Sequence, residues 1–353
     1  MQCADEGALR EVHHESPAYV RLSLAAAMTL GFVPGWFHRN AKLRCVNLLL
    51  TYEDGCKASC AFCGLAREKD ATWTAKKFIR VPWKTFPTPD VVQAIKRGPS
   101  HVGRVCISMI THPRCRDDVL AVCKQVAQVT GLPVSLLISP SIITREDLLA
   151  MKEAGADRIG VAIDGATPEI FDRFRGKPVN GPHRWDRYWQ IYEESIRVFG
   201  RGMAGAHLIC GLGETEREMV GAIYRARALG GSTHLFSFFP EKGSALESQA
   251  PPPIGNYRRI QLARWLIDHD LTVPDRMAFS GSGRILDFGV TAAQLDEAIL
   301  CREPFETSGC PGPDGKTACN RPYGNEKPGA DIRNFPFPPD DEDLEGIIRE
   351  LSE

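Results

Sequence analysis

The stretch Asp54–Leu65, DGCKASCAFCGL, constrains this chain more than any other. It sets Cys56, Cys60 and Cys63 in the spacing C-x3-C-x2-C. Three thiolates this close either converge on one inorganic centre or go unused, and thiolates are soft ligands that suit iron–sulfur clusters and zinc. Three protein ligands on a cubane leave one iron open for a small molecule. Phe62 brings a flat apolar group to the site, and Gly55 and Gly64 let the backbone turn tightly at either end. Two other readings stand beside this one. Structural zinc needs four ligands, so a distant Cys or His would have to fold in; alternatively the three are unrelated buried thiols.

The rest of the chain narrows the field. It has 353 residues, enough for one large α/β barrel or two ordinary domains. The net charge of −1 offers no basic field for nucleic acid. No apolar run reaches the length of a membrane span, and the acidic, polar start MQCADEGALREVHHE reads as no signal peptide. Twelve cysteines without a secretion signal point to metal or cluster chemistry in a reducing cytosol, and so to a cytoplasmic protein.

Residues 1–15 read as frayed, with Cys3 idle among them. Pro17–Leu30 reads as a helix capped by Ser16. The apolar run Cys45–Leu50 reads as a strand that ends just before the cysteine loop. Pro82, Pro87 and Pro89 lead to a helix over Asp90–Lys96. Beyond it strands and helices alternate: strands at Val105–Ile110, Val134–Ile138, Arg158–Ile163, Ala206–Cys210 and His234–Phe239, helices at Asp117–Val129, Glu146–Ala154, Pro168–Phe174, Trp185–Phe199, Glu216–Leu229 and Tyr257–Asp268. Weaker strand signals fall at Arg276–Phe279 and Leu300–Phe305. Such alternation means a parallel sheet with right-handed crossovers. The expectation is an α/β chain with a TIM-type (β/α) barrel, its site at the C-terminal strand ends where the cysteine loop lies. Residues 1–44 form a helical lead-in, 45–305 the barrel, and 306–353 an irregular C-terminal extension.

The cysteine loop resembles the radical SAM signature, in which three cysteines hold a [4Fe–4S] cluster whose open iron binds S-adenosylmethionine. The resemblance assigns Cys56, Cys60 and Cys63 to the cluster and Phe62 to the adenine. GAHLICGLGET (Gly205–Thr215) resembles the fifth-strand motif that lays backbone against the adenine, and GLGET resembles biotin synthase. This places Ile209, Gly211, Gly213 and Glu214 at the cofactor. In VAIDGATPE, Asp164 matches the biotin synthase aspartate that binds the ribose hydroxyls; a helix or turn cap is the plainer role. Arg184, in RWDRYWQ, lies where biotin synthase pairs an arginine with the SAM carboxylate, with Arg187 as rival and a solvated charge as the plain reading of either.

The resemblance to biotin synthase covers about residues 40–305 and departs from it instructively. Of the cysteines that hold biotin synthase's inner [2Fe–2S] cluster only Cys106 has a counterpart; Ser135 and Gly205 fall at the others and Arg276 at the arginine. Cys106 alone reads as a small core residue. Cys301, Cys310 and Cys319 lie beyond, in a Gly/Pro-rich segment typical of metal sites. They are expected to hold an auxiliary [4Fe–4S] cluster, with Cys45 and Cys106 in reserve; structural zinc is the alternative. Ser308 is a candidate removable ligand, by likeness to single-chain lipoyl synthase. Cys115, Cys123 and Cys210 read as core or surface residues.

CAFCGLAR, FIRVPW, THLFSFFPE, TSGC and CNRPYGNE together resemble one subunit of the two-subunit lipoyl synthase of archaea and some bacteria. That implies a sulfurtransferase of lipoate biosynthesis: radical SAM sulfur insertion into a protein-bound octanoyl chain, with the auxiliary cluster as sulfur donor. It implies as partners an octanoylated lipoyl-carrier protein, the other synthase subunit and a ferredoxin- or flavodoxin-like electron donor, with no nucleic acid or membrane. Two alternatives stay open. One is another class of radical SAM enzyme, using the auxiliary cluster for electron transfer or substrate binding; the other is a non-enzymatic zinc or iron–sulfur protein.

Overall fold

The computed structural model describes residues 14–67, 81–322 and 331–353. Cys3, the first three residues of FIRVPW, and Tyr323–Glu326 of CNRPYGNE lie outside them.

Eight strands form one mixed sheet. They are β1 (Tyr19–Ser23), β2 (Cys45–Leu50), β3 (Trp83–Pro87), β4 (Arg104–Ser108), β5 (Val134–Ile138), β6 (Ala156–Asp164), β7 (Ala204–Cys210) and β8 (Ser232–Ser237). Their order is β3-β1-β2-β4-β5-β6-β7-β8. β1 runs antiparallel to both its neighbours and the others are parallel from β2 to β8. Helices fill the crossovers: α1 (Leu24–Thr29), α2 (Thr88–Lys96), α3 (Cys115–Thr130), α4 (Arg145–Glu153), α5 (Pro168–Arg175), α6 (Trp185–Phe199), α7 (Glu216–Leu229) and α8 (Ile254–Asp268). After α8 come a short hairpin, β9 (Ala278–Phe279) with β10 (Ile285–Asp287), and two helices, α9 (Ala292–Leu300) and α10 (Asp341–Ser352).

The sheet does not close into the expected barrel: among the described residues β3 and β8 are its edges and do not pair. It curves, since residues from β2, β5, β6, β7 and β8 line one cavity. The β8 edge is covered by the tail. Ser308 Oγ accepts from Leu235 N at 2.8 Å, and Tyr257 of α8 donates to Leu235 O at 3.3 Å. A sheet edge satisfied in this way needs no closing strand.

The helix expected over Pro17–Leu30 is instead β1 followed by α1. YVRLS pairs on both sides, and Ser23 caps α1 by accepting from Ala26 N at 3.2 Å. Tertiary pairing overrides local propensity here. β3 escaped sequence reading because two prolines flank it. Leu300–Phe305 is no strand but the end of α9 and a 3-10 turn.

The outward face of the parallel strands, Val46, Leu48, Val105, Ile107, Leu136, Ile159, Val161, Ala206 and Leu208, is buried beneath the helices. α3 contributes Val119, Val122 and Val126, and α6 contributes Trp189, Tyr192 and Ile196. No described helix is long and apolar enough to cross a membrane.

One buried ion pair ties the last crossover to the C-terminal hairpin. Arg259 Nη2 meets Glu216 Oε1 at 2.7 Å, both side chains under 10% exposed. Glu216 Oε2 also accepts from Ile285 N at 2.7 Å. Glu216→Ala strands a buried guanidinium, so it is expected to cost about 3–5 kcal/mol, read as a lower urea midpoint; Glu216→Ala with Arg259→Met together should recover most of it.

Candidate active site

The cavity, of about 240 Å³, opens at the C-terminal ends of the strands. Cys56, Cys60 and Cys63 line it together with Phe62, Leu49, Leu137, Asp164, Arg175, His183, Tyr188, His207, Ile209, Phe236 and Arg321. The cysteine loop is held from three sides. Lys57 N bonds Thr111 O at 2.7 Å, Ala61 N bonds Phe174 O at 2.9 Å, and Leu246 N bonds Ala61 O at 3.3 Å. Gly55 makes the entry turn at φ 68°, where a side chain would be strained. Leu65 N points at Cys63 Sγ, 3.4 Å away. Phe62 packs with Ile170, Ile209, Leu212 and Phe238.

Asp164 ends β6 at φ 65°. A left-handed aspartate costs energy that its surroundings must hold in place. Arg175, at the end of α5, does so: its Nη1 meets Asp164 Oδ2 at 2.9 Å. Both side chains are buried. Burial raises the Asp164 carboxyl above its usual range while Arg175 pulls it down. Arg175 also donates to Ile163 O at 3.1 Å and to Tyr188 Oη at 3.1 Å. Ser141 Oγ and Tyr188 Oη each lie 2.8 Å from His183 Nδ1. If both hydroxyls donate, the imidazole carries its proton on Nε2.

Sequence reasoning placed Arg184 at this site, but it is exposed at the N-terminus of α6 and does not line the cavity. Arg187 donates to Ile143 O at 2.5 Å. Arg175 and His183 were missed, because nothing in RFRG or GPHR says which side chain turns inward. Ile209 lines the cavity, whereas Gly211, Gly213 and Glu214 do not. Glu214 instead fixes the turn after β7, accepting from Gly211 N at 2.6 Å and Leu212 N at 3.0 Å.

Deeper in the molecule, Cys45, Cys106, Cys310 and Cys319 pack into one buried group with Ala318 and the cavity residue Leu137. Cys45 and Cys106 come from the cavity face of the sheet: Asn47 sits between Cys45 and Leu49 on β2 and is in register with Cys106 on β4. Cys310 and Cys319 come from a hairpin closed by Ala318 N→Cys310 O at 3.0 Å and Gly312 N→Lys316 O at 2.8 Å. Hydrogen bonds from Cys106 and Cys45 hold the Cys319 thiol well below its usual range, while burial pushes Cys310 up to about 11. Cys301 is not in this group. It is exposed at the end of α9 and donates to Ala298 O at 3.2 Å. Ser308 is committed to β8, and Arg276 is exposed in a 3-10 turn. Cys115, Cys123 and Cys210 are buried.

Among the described residues, no three His, Cys, Asp or Glu side chains surround a single ion position. Thiolates on a cubane need no common point, since each takes its own iron. Three thiols on one cavity wall, one of them already met by a backbone N–H, suit such a cluster. Arg175 Nε, a buried donor without a partner among the described residues, suits an anionic or polar ligand beside it.

With this geometry in view, residues 51–224, a little under half of the chain, match the family model of the Radical SAM superfamily. The chain is similar to the biotin synthase of Streptococcus agalactiae serotype V (25% identity over 186 residues, 52% of each chain). It is likewise similar to that of a Hydrogenobaculum species (22% identity, 61% of this chain and 62% of the other). The chain thus spans about half the length of the first of these relatives. Among solved structures, coproporphyrinogen III oxidase from Escherichia coli aligns over 42% of this chain and 35% of its own, with 14% identity and a TM-score of 0.34.

Buried histidines make stability pH-dependent: besides His112, which burial also holds below its usual range, there are three. Burial holds His183 at about 2, His234 at about 4, and His207 well below the usual range. The folded state keeps them neutral, whereas the unfolded chain takes up protons as pH falls through about 6.5, so acid favours unfolding. Each should cost about 1.4 kcal/mol between pH 7.5 and 5.5. Urea titrations at the two pH values check this, and His183→Gln should remove one histidine's share of the slope.

Proposed function

We propose that the chain is a radical SAM sulfur-insertion enzyme acting on a protein-bound octanoyl chain, one subunit of a two-subunit lipoyl synthase. The observation that supports it best is that one group of cysteines lines a mostly apolar cavity while a second packs directly behind two residues of its wall, Leu137 and Arg321. Cys56, Cys60 and Cys63 would hold a [4Fe–4S] cluster at its mouth. Cys45, Cys106, Cys310 and Cys319 would hold the auxiliary cluster at its floor, in place of a set built on Cys301 and Ser308. When bound, the first cluster with SAM supplies a carbon-centred radical able to take hydrogen from an unactivated carbon, and the second supplies sulfur.

The chain's own residues bind, orient and shield. Asp164 would take the ribose hydroxyls, Phe62 and Ile209 the adenine face, and Arg175 the carboxylate for which Arg184 was expected. Leu49, Met109, Leu137, Phe236 and Phe238 give the octanoyl chain an apolar wall and keep water from the radical. An octanoylated lipoyl-carrier protein, the other synthase subunit and a ferredoxin- or flavodoxin-like donor are the proposed partners. The second reading, a radical SAM enzyme that uses the auxiliary centre for electron transfer, is separated from the first by isotope-labelled sulfide, which must appear in product only under sulfur insertion.

Anaerobically reconstituted protein should carry roughly eight irons per chain. Cys310→Ala with Cys319→Ala should leave about half of that. This variant should still cleave SAM but form no carbon–sulfur bond on an octanoylated carrier peptide, as read by mass spectrometry. A variant that still thiolates the peptide refutes the sulfur-donor role.

Asp164→Asn and Arg175→Gln should each weaken SAM binding by about 1.5–3 kcal/mol, roughly tenfold to a hundredfold. Arg184→Ala should change it little. Equilibrium binding with iron content held equal checks both, and the reverse ranking would restore Arg184 as the carboxylate partner.

A further inference from the structure

Arg321 is a cation at the cavity wall with no carboxylate partner among the described residues. Its Nε donates to Cys319 Sγ at 3.3 Å. Its guanidinium lies 4.9 Å from the centroid of the Phe236 ring, and both residues line the cavity. Its backbone is left-handed, at φ 41°, a conformation a non-glycine residue keeps only when its surroundings hold it. The other arginines near this floor are already engaged: Arg104 forks onto Asp157 at 2.6 and 2.7 Å, and Arg158 donates to Gly202 O. The imidazoles next to it are turned to one another, with His234 Nδ1 and His207 Nε2 3.0 Å apart. Gly160 and Gly205 make room for them, since a Cβ on either would come within 2.9 Å of an imidazole atom.

A guanidinium withdrawn from water is costly unless an anion meets it. Among the described residues the only acceptor Arg321 reaches is the Cys319 sulfur, which carries one negative charge at most. Four thiolates around an oxidised cubane leave a net negative charge on the centre as a whole. We propose that Arg321 is the counter-cation of a metal–thiolate centre held by Cys45, Cys106, Cys310 and Cys319, and the residue that positions its cavity side. This rests on the reading of those four thiols given above. The Phe236 ring holds the guanidinium on one side, and Nε faces Cys319 on the other. The Arg321 guanidinium lines the cavity, where a polar group of the substrate would meet it beside the centre.

The test uses the full-length chain carrying Cys56→Ser, Cys60→Ser and Cys63→Ser, so that only the second centre binds iron. Iron per chain and the midpoint potential of the remaining centre are measured in this parent and after adding Arg321→Gln or Arg321→Lys. Removing a positive charge beside a redox centre makes the more negative, reduced state harder to form. The expected result is therefore a lower potential for Arg321→Gln at unchanged iron, with Arg321→Lys returning part of the shift. Iron lost from Arg321→Gln but kept in Arg321→Lys also supports the proposal, because charge then holds the centre. An unchanged potential at equal iron overturns it. So does equal loss of iron from both variants, which would make Arg321 a plug that acts by shape. A parent without iron overturns the four-thiol reading itself, and that failure is seen before any change at Arg321.

Discussion

The deep site depends on one side chain, Asn320. Its Nδ2 donates to Lys42 O and to Pro336 O, each at 2.8 Å, and its Oδ1 accepts from Arg44 N at 3.1 Å. A buried amide that satisfies three backbone groups at once fixes position far better than apolar contact, because each missed bond would leave a buried polar group unpaired. The clasp lies beside Cys319 and just before Cys45 and β2. It therefore sets the hairpin's thiols against the sheet's thiols. Arg44 and Arg104 reinforce it, donating to Thr317 O at 3.1 Å and Pro311 O at 2.7 Å. A tail that looks irregular in sequence is thus anchored at both ends of the hairpin.

Charge on the cavity wall is sparing: Asp164, Arg175, Glu241 and Arg321. Arg175 serves Asp164, a backbone carbonyl and Tyr188 from the end of one short helix, and through Tyr188 it reaches His183. Arg321 occupies the corresponding place near the floor, with sulfur as its acceptor. Both sit between an apolar cavity wall and a group of cysteines. In a low-dielectric cavity a fixed charge acts far more strongly than in water, so these two arginines, with Asp164 and Glu241 on the same wall, set the electrostatics of the cavity. The buried histidines, kept neutral, add polarity there without adding charge.

The sequence made legible what depends on local pattern. The β5, α6 and α7 limits follow from hydrophobic period and turn residues, and the cysteine loop follows from its spacing. Asp164 was placed at a strand end by the break in VAID, and it lies on the cavity wall. What stayed hidden depends on long-range partners. β1 reads as helix until β2 and β3 flank it. Arg184 and Arg175 differ by nine positions on either side of a Gly/Pro turn, and only the packing of α5 against β6 decides which one turns inward. Cys301 was grouped with Cys310 and Cys319 on nearness in sequence, but α9 carries it to the surface, while Cys45 and Cys106 arrive from more than 200 residues away. A better signal was available in alternation: Cys45, Asn47 and Leu49 share one face of β2, as His207 and Ile209 share one face of β7.

That alternation explains how one sheet can present cysteines and cavity residues at different depths. A parallel strand rises about 3.3 Å per residue, and only every second side chain faces the cavity. Cys45 therefore stands about 13 Å below Leu49 on the same face, with Asn47 between them, and the register of β2 on β4 brings Cys106 alongside Asn47. Depth is thus encoded by counting residues along a strand, and facing by parity. A one-residue slip of β2 would turn Cys45, Asn47 and Leu49 away together and bring Val46 and Leu48 to the cavity. Such a slip would bury no new polar group favourably and would expose apolar side chains that the helices now cover. The outward apolar face therefore holds the inward thiols in register, and the positioning of the deep sulfur group is a consequence of core packing on the opposite side of the same strands.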